Sequence, residues 1–590
     1  RRGEAAYMTG DLKIAREHLT AFHQKHPGDP LNAYALPYLG DLALEANQPA
    51  EAQMLYNKAL REFAQTTPAD DCRFGLAKAL HLQRRYDDAE RIYNYFINKE
   101  ASGRIDDSLL QLGQLQFERG QHDEAVKTLK RLLAEFPQTE LLDYTHYWLG
   151  LSLAGQEEWQ ASIDELSRAA AVDTTHVLWP AAQFHWGESL RRAGNTADAV
   201  ERFDAVLDQA GDTTWAHKAA HGRLRVYSHD NDHDTVNQLA LEFAKKYPAS
   251  PLGLDVRRLL GRAQLKQSRF DASIDTLIGL VGELEQLRVA TGEEHPELSR
   301  REVRSLLRAS RYLLGLAYLG QKKFAEALAV TEKIEVDEEK QPELAASVHS
   351  LRASALVGLG QTNQATAPLE AYLRLQPDGP DVEKSRAQLA MAYAQAGQLV
   401  EARRVYRKLV ENHEDRAQFL ETTHFVAERA FASGDKVWAR ELFAVLADDE
   451  NPPEMRELGL SGKAWTELDL RAPVRSAETF ERLLREFPDS PLAPEAALAR
   501  ASALEQLQQQ DKALATYTLI IDKYPQSKQL PTALFRAANL QDTIGDKKAA
   551  AKLLARYVKE NSQQANIDAA LYRWAPIAPG IPLCLRRSRT

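Results

Sequence analysis

The chain has 590 residues, 44% hydrophobic and 27% charged, with 25 Pro and 30 Gly, a composition that excludes a disordered, fibrous or collagenous protein. A net charge of -10 excludes a chain that tracks nucleic-acid phosphates along its length, and two cysteines, Cys72 and Cys584, exclude a disulfide framework. No apolar run approaches the roughly 18 residues of a membrane span, and the length exceeds what one compact core supports, so several domains or an open repeat array is expected.

From its first residues, "RRGEAAYMTG", the chain repeats one phrase, in which a glycine-containing turn is followed by an aromatic or apolar residue and then a small one. Those small residues are Ala15, Ala52, Ala89, Ala125, Ser162, Ala199, Val236, Ser273, Ala327, Ala365, Ala402, Ala439, Ser476, Ala513 and Ala549. Successive anchors lie 36 to 38 residues apart, except for one interval of 54 between Ser273 and Ala327. Twelve residues before each stands another anchor: Gly3, Gly40, Ala77, Gly113, Gly150, Gly187, Leu224, Gly261, Gly315, Ala353, Ala390, Ala427, Ala464, Ala501 and Ala537. Only Leu224 and Val236 are not small, and both belong to the seventh unit.

Apolar residues recur at helical spacing on both sides of each turn, which predicts two antiparallel helices, A and B, per unit. The small anchors let A and B approach closely, while larger residues four and seven positions after the second anchor, such as Tyr406 and Leu409, are expected to fill space against the next unit. Helix B is expected to stop at an aromatic-proline pair, as in "EFPQTELL" (135–142), "KYPASPLG" (246–253), "EFPDSPLAPEA" (486–496) and "KYPQSKQL" (523–530). Ser250-Pro251 and Ser490-Pro491 read as the N-cap and first residue of the following helix. In the seventh unit, Leu224 and Val236 predict helices held farther apart, unless the register slips to use Gly222.

"YWLGLSLAGQEEWQASIDELSRA" (147–169) and "LLGLAYLGQKKFAEALAVTEKI" (313–334) resemble tetratricopeptide repeats, with the small consensus residues at Gly150 and Ser162 and at Gly315 and Ala327. The resemblance covers almost the whole chain and departs from the usual period of 34 by the extra length of the proline joints. It implies an all-α, right-handed superhelical solenoid of about fifteen helix pairs. The longer period resembles repeats of bacterial envelope proteins of the outer-membrane assembly lipoprotein and Tol-Pal-associated periplasmic coordinator types, which implies a periplasmic or outer-membrane-associated place rather than a cytoplasmic one. The expected organisation is a truncated first repeat (1–27), repeats 2–8 (28–281), an inserted extended helix and loop (282–305), repeats 9–15 (306–562), the start of a further helix (563–574) and an atypical tail (575–590). Within the insertion, Gly292 to Pro296 reads as the loop. The tail, with no acidic residue after Asp568, and a first anchor only three residues into the chain read as a fragment or a reading-frame artefact.

No phosphate-binding glycine loop, nucleophile elbow, paired-cysteine framework or H-E-x-x-H motif occurs, so no catalytic residue, cofactor or metal is expected. His217 and His221 lie one helical turn apart in "AHKAAHGRLRVYSHDNDHD" (216–234), but no third ligand is fixed by spacing, and a solvated helix face is expected. Asp230, Asp232 and Asp234 begin like a calcium loop whose sixth-position glycine is replaced by Thr235. Trp159 and Tyr406 are read as core residues rather than a ligand cage.

The family resemblance implies that helix A lines a concave surface. There, repeats 6–8 present Arg191, Arg192, Lys218, His221, Arg225, Arg258, Arg262 and Lys266, opposed only by Glu188 and Asp255, a reversal of sign on an acidic chain. Repeats 12 and 14 present Glu421, Glu428, Glu495 and Glu505 instead. The basic stretch reads either as an ordinary solvated face or as a groove for an acidic peptide or carboxylate. The expectation is a non-catalytic scaffold or adaptor that binds partner proteins and not nucleic acid. The alternative is the interaction arm of an enzyme or regulator whose active domain lies outside this sequence.

Overall fold

The computed structural model describes residues 1–65, 68–99, 102–290, 299–411, 413–560 and residue 572. Among these residues it contains thirty helices and no strand. The loop expected at Gly292–Pro296, the tail at 575–590, Cys584 and the expected helix start at 563–574, apart from Tyr572, lie outside the described residues. Two compact units divide the chain, residues 1–307 and 308–590.

In the first unit, consecutive helices pack as antiparallel pairs, and the apolar core is a series of local clusters. The buried residues of one cluster lie within 216–263 and those of another within 147–182, and the half-buried side chains packed on them come from the adjoining helices. The second unit is built the same way, with clusters over residues 353–446 and 447–557. Each pair therefore buries its apolar face only against its neighbours, which is the energetic signature of a linear array. Most helices are close to 14 residues long, whereas Phe270–Ala290 and Arg300–Gly320, which occupy most of the 54-residue interval, have 21 each.

The turn between helices A and B is the same in all fifteen repeats. The residue five positions before the second anchor has a left-handed backbone, with φ between 55° and 98°. Glycine occupies it in seven repeats, as at Gly194 and Gly434, and Asn47, Arg84, Glu157, Asn231, Ser268, Lys322, Arg471 and Gln508 occupy it in the others. In the fifteenth repeat this residue is Gly545, which moves the second anchor from Ala549 to Ala550; Ala550 is fully buried and Ala549 is not.

Packing at the crossing differs from the expectation in one respect. The large residue four positions after the second anchor fills its own repeat first: an added Cβ at Gly187 would lie 2.8 Å from the Phe203 ring, and one at Gly113 would lie 2.6 Å from Leu129. Where this residue is aromatic it can also reach forward into a second glycine, two positions before the next first anchor. Tyr56 faces Gly75, Phe203 faces Gly222 and Phe443 faces Gly462 in this way. Gly222 therefore serves the preceding repeat, and the register of repeat 7 does not slip.

The proline joints stop helix B as expected. The residues before proline, Phe136, Tyr247, Phe487 and Tyr524, have φ between -121° and -128° with ψ between 52° and 59°, outside the helical region. The serine caps do not form. The next helices start at Gly253 and Ala493 behind Leu252 and Leu492, neither of which makes a side-chain cap. Ser490 instead closes a turn by accepting from the Leu492 amide at 2.9 Å, and the Ser250 hydroxyl is buried without a partner. Two more turn residues precede the helix than the sequence pattern suggests, because the joint first closes its own backbone bonds, such as Gly253 N–H to Ser250 O at 3.0 Å.

Candidate functional site

Helix A of repeats 6, 7 and 8 spans Trp179–Arg192, Thr214–His229 and Gly253–Lys266. Glu188, Arg225 and Arg262 occupy one column on these helices, each directly after the first anchor, one repeat apart. Phe184, His221 and Arg258 form the column four residues before it, and Ala181, Lys218 and Asp255 the column seven before. Helical periodicity puts these columns on one face.

Two half-buried carboxylates organise that face. Glu188 accepts a fork from Arg191, Nη2 to Oε2 at 3.0 Å and Nε to Oε1 at 3.3 Å, and a third bond from Arg225 Nη1 at 3.3 Å. Asp255 accepts from Arg258 Nε at 2.7 Å and pairs with His221 Nε2 at 2.7 Å. Each carboxylate thus joins a donor of its own repeat to one from a neighbour. Burial opposes ionisation of Glu188, yet the Arg191 hydrogen bond and the charges of Arg225 and Arg191 outweigh it and hold the carboxyl below its ordinary range. Burial is likewise overcome at Asp255, where His221 and Arg258 hold the carboxyl well below that range. Burial lowers the pKa of the Arg225 guanidinium, and the nearby charges of Arg191 and Arg192 add to the effect.

The other expected residues divide into two kinds. Arg192 stands over the Trp159 ring at 5.9 Å and Lys218 over Trp215 at 4.2 Å, so both cations rest on indoles. Trp159 is therefore a half-exposed platform and not the core residue expected, whereas Tyr406 is buried and bonded to Thr423 at 2.8 Å. Arg262 is half-buried and Lys266 exposed, and among the described residues neither holds an ion pair. Beside Lys218, His185 is enclosed by Tyr147, Phe184 and Trp215, and burial together with the Lys218 charge lowers its pKa to about 4.

His217 and His221 do not converge. His217 pairs with Asp212 at 2.9 Å and packs on Tyr247, and His221 turns to Asp255. Asp232 accepts from the Thr235 amide at 3.1 Å and caps a helix, so the aspartate run is a helix start. Among the described residues no group of three His, Cys, Asp or Glu side chains is placed to hold a metal, and no helix is long and apolar enough to cross a membrane. The organising role of Glu188 and Asp255 was missed in the sequence, although spacing carried the signal: Glu188 and Arg225 are one period apart, and His221 and Asp255 are three residues short of one.

The family profile described as "Tetratricopeptide repeat" matches residues 107–139, 181–213 and 388–415, and a second profile of the same description matches 38–104 and 462–528. These are tetratricopeptide repeats. No curated protein matches the chain in sequence. Solved structures similar to this chain include the Cut9–Hcn1 hetero-tetramer of the APC/C, at 14% identity and a TM-score of 0.34, covering 92% of this chain and 95% of that one. A tetratricopeptide repeat protein from Parabacteroides merdae aligns at 13% identity and a TM-score of 0.35, over 47% of this chain and 98% of its own. PilF of Pseudomonas aeruginosa aligns at 19% identity and a TM-score of 0.25, over 39% of this chain and 98% of its own. Tetratricopeptide repeats generally mediate protein–protein interaction.

Proposed function

We propose that this chain is a non-catalytic scaffold that holds partner proteins on its helix A faces within a multiprotein assembly. The observation that carries the reading is the helix A face of repeats 6–8, where polar and charged side chains from three successive repeats share columns and two carboxylates hold donors from neighbouring repeats in place. A pre-set polar face is what recognition of another chain requires, because its side chains lose little freedom on binding. The 37-residue period and its proline joints, which resemble repeats of bacterial envelope proteins, support an assembly at the bacterial envelope.

Cross-linking mass spectrometry on the chain expressed in its native cells tests the scaffold reading. Cross-links from partners should concentrate on helix A faces. Cross-links confined to helix B and the proline joints would overturn it.

A further inference from the structure

Resting on that reading, we propose that the helix A face of repeats 6–8 seats an acidic segment of a partner protein, with Arg192, Arg225, Arg262 and Lys266 contacting its carboxylates. The face carries seven permanent cations, Arg191, Arg192, Lys218, Arg225, Arg258, Arg262 and Lys266, against two carboxylates, Glu188 and Asp255. Both carboxylates are already committed to donors. The surplus is therefore positive and falls on identifiable side chains. Among the described residues Arg262 and Lys266 hold no ion pair, and Arg192 rests on an indole with no carboxylate paired to it.

The built-in carboxylates show how an incoming one would be held. Arg191 meets Glu188 through two nitrogens, the planar fork that makes guanidinium groups suited to carboxylates. Arg225 gives Glu188 a single bond, from Nη1, which leaves donors on the same guanidinium for a second acceptor. Arg225 and Arg262 share a column one repeat apart, so an extended segment running along the face meets a guanidinium of that column in repeats 7 and 8. Placing Arg191 and Arg192 near Arg225 costs self-repulsion, and an anionic segment would offset it. A nucleic acid suits this face less well. Its continuous phosphates would meet Glu188 and Asp255 inside the same columns, and the basic surface is confined to three repeats of an acidic chain.

The test is fluorescence anisotropy with the full chain and three labelled probes: a short peptide of alternating Glu and Ser, its Gln-for-Glu isostere, and a single-stranded oligouridylate. The Glu peptide should bind, weaken as salt rises, and outcompete the other two. Arg262→Glu with Lys266→Glu should weaken it about tenfold or more, the loss of one or two charge-assisted contacts. Glu421→Lys with Glu428→Lys should leave it unchanged. If the reversals at 262 and 266 reduce helical content, Arg262→Gln with Lys266→Gln replaces them, with a smaller loss of the same sign expected.

Equal affinity in the parent and the 262/266 variants overturns the proposal, as does equal binding of the Gln isostere. Tighter binding of oligouridylate, lost in the same variants, makes the face a nucleic-acid surface and overturns it too. The scaffold reading fails separately. If partners still cross-link to helix A faces of the Arg262→Glu, Lys266→Glu chain, the scaffold stands and only the acidic occupant falls. If the parent chain cross-links to no protein, the scaffold itself falls.

Discussion

In repeat 6 the crossing of the two helices is filled from helix B, where Phe203 lies over Gly187 and reaches on to Gly222 of repeat 7. In repeat 7 the positions are exchanged: Leu224 stands on helix A where glycine stood, and Ala240 stands on helix B where the aromatic ring stood. Both are buried within one cluster with Val236 and Phe243. The backbones of the two helices of repeat 7 approach one another at fewer places than those of any other helix pair within a repeat of the first unit, in line with the wider separation expected from Leu224 and Val236. What is preserved between the neighbouring repeats is the rule of one large residue against one small residue, not the identity of either. Polar bonds across repeats add to the connection of repeat 7 with its neighbours. Arg225–Glu188 and His221–Asp255 tie helix A of repeat 7 to both neighbours, and Arg223 pairs with Asp204 of repeat 6 at 2.7 Å.

The largest effect expected is from Phe203→Ala, which empties a site shared by two repeats. It should destabilise the region by about 3–5 kcal/mol. Hydrogen exchange read peptide by peptide suits an array, since a long solenoid does not unfold as one unit. Protection should fall in helix A of both repeats 6 and 7. A loss confined to repeat 6 would show that the reach into Gly222 has no energetic weight.

The exchange of sizes in repeat 7 is tested next. Ala240→Phe should cost about 1–3 kcal/mol, because a ring is driven against Leu224. Adding Leu224→Gly should restore the pattern of repeat 6 and recover part of that loss, a coupling of about 0.5–3 kcal/mol. Additive losses would mean that positions 224 and 240 do not oppose one another.

The period and the helix pairing were legible because close crossings need small residues at fixed places, and fifteen repetitions make a weak motif strong. Single-position rules failed where the physics acts on pairs. Leu224 and Val236 are exceptions only until Ala240 is taken with them, and Ala549 and Ala550 are indistinguishable as alanines until the turn at Gly545 decides between them. Eight of the fifteen left-handed turn residues are not glycine, so the turn could not be located from glycine alone. The candidate face was legible as a list of charges. Its division into paired, indole-backed and unpaired cations was not, since that depends on which side chains of adjacent repeats reach each other.

His185 sharpens the comparison through pH. Its pKa in the folded chain is lowered to about 4 from 6.5, so as pH falls the unfolded chain binds the proton first. The stability it contributes is fully present above about pH 6.5 and is lost progressively down to about pH 4. Between pH 7 and pH 5 the cost should be about 1–2 kcal/mol in repeats 6 and 7. Hydrogen exchange corrected for intrinsic rates should show the decline in the parent, and His185→Gln should flatten it. An equal decline in the variant would assign the effect to other groups.

The smallest effect expected is from Glu188→Gln, and its sign differs between stability and binding. The side chains of Glu188, Arg191 and Arg225 are 20%, 12% and 36% exposed, so water screens the network in part and its loss should cost at most about 1 kcal/mol. The carboxyl is held below its ordinary range, so the contribution is present above about pH 4.5 and disappears as pH falls through the lowered value; the parent and the variant should converge in acid. Helix A of repeat 7 should register the loss more than repeat 6 does, because its own helix crossing offers less. The exposed pair Arg257–Glu283 gives the control, since Glu283→Gln should change protection very little. Binding should move the other way. Removing one of two built-in carboxylates frees Arg191 and Arg225, so the Glu-Ser peptide should bind several-fold tighter to Glu188→Gln while its salt dependence steepens. A variant that loses both stability and peptide affinity would mean that Glu188 positions the arginines for the partner and does not compete with it.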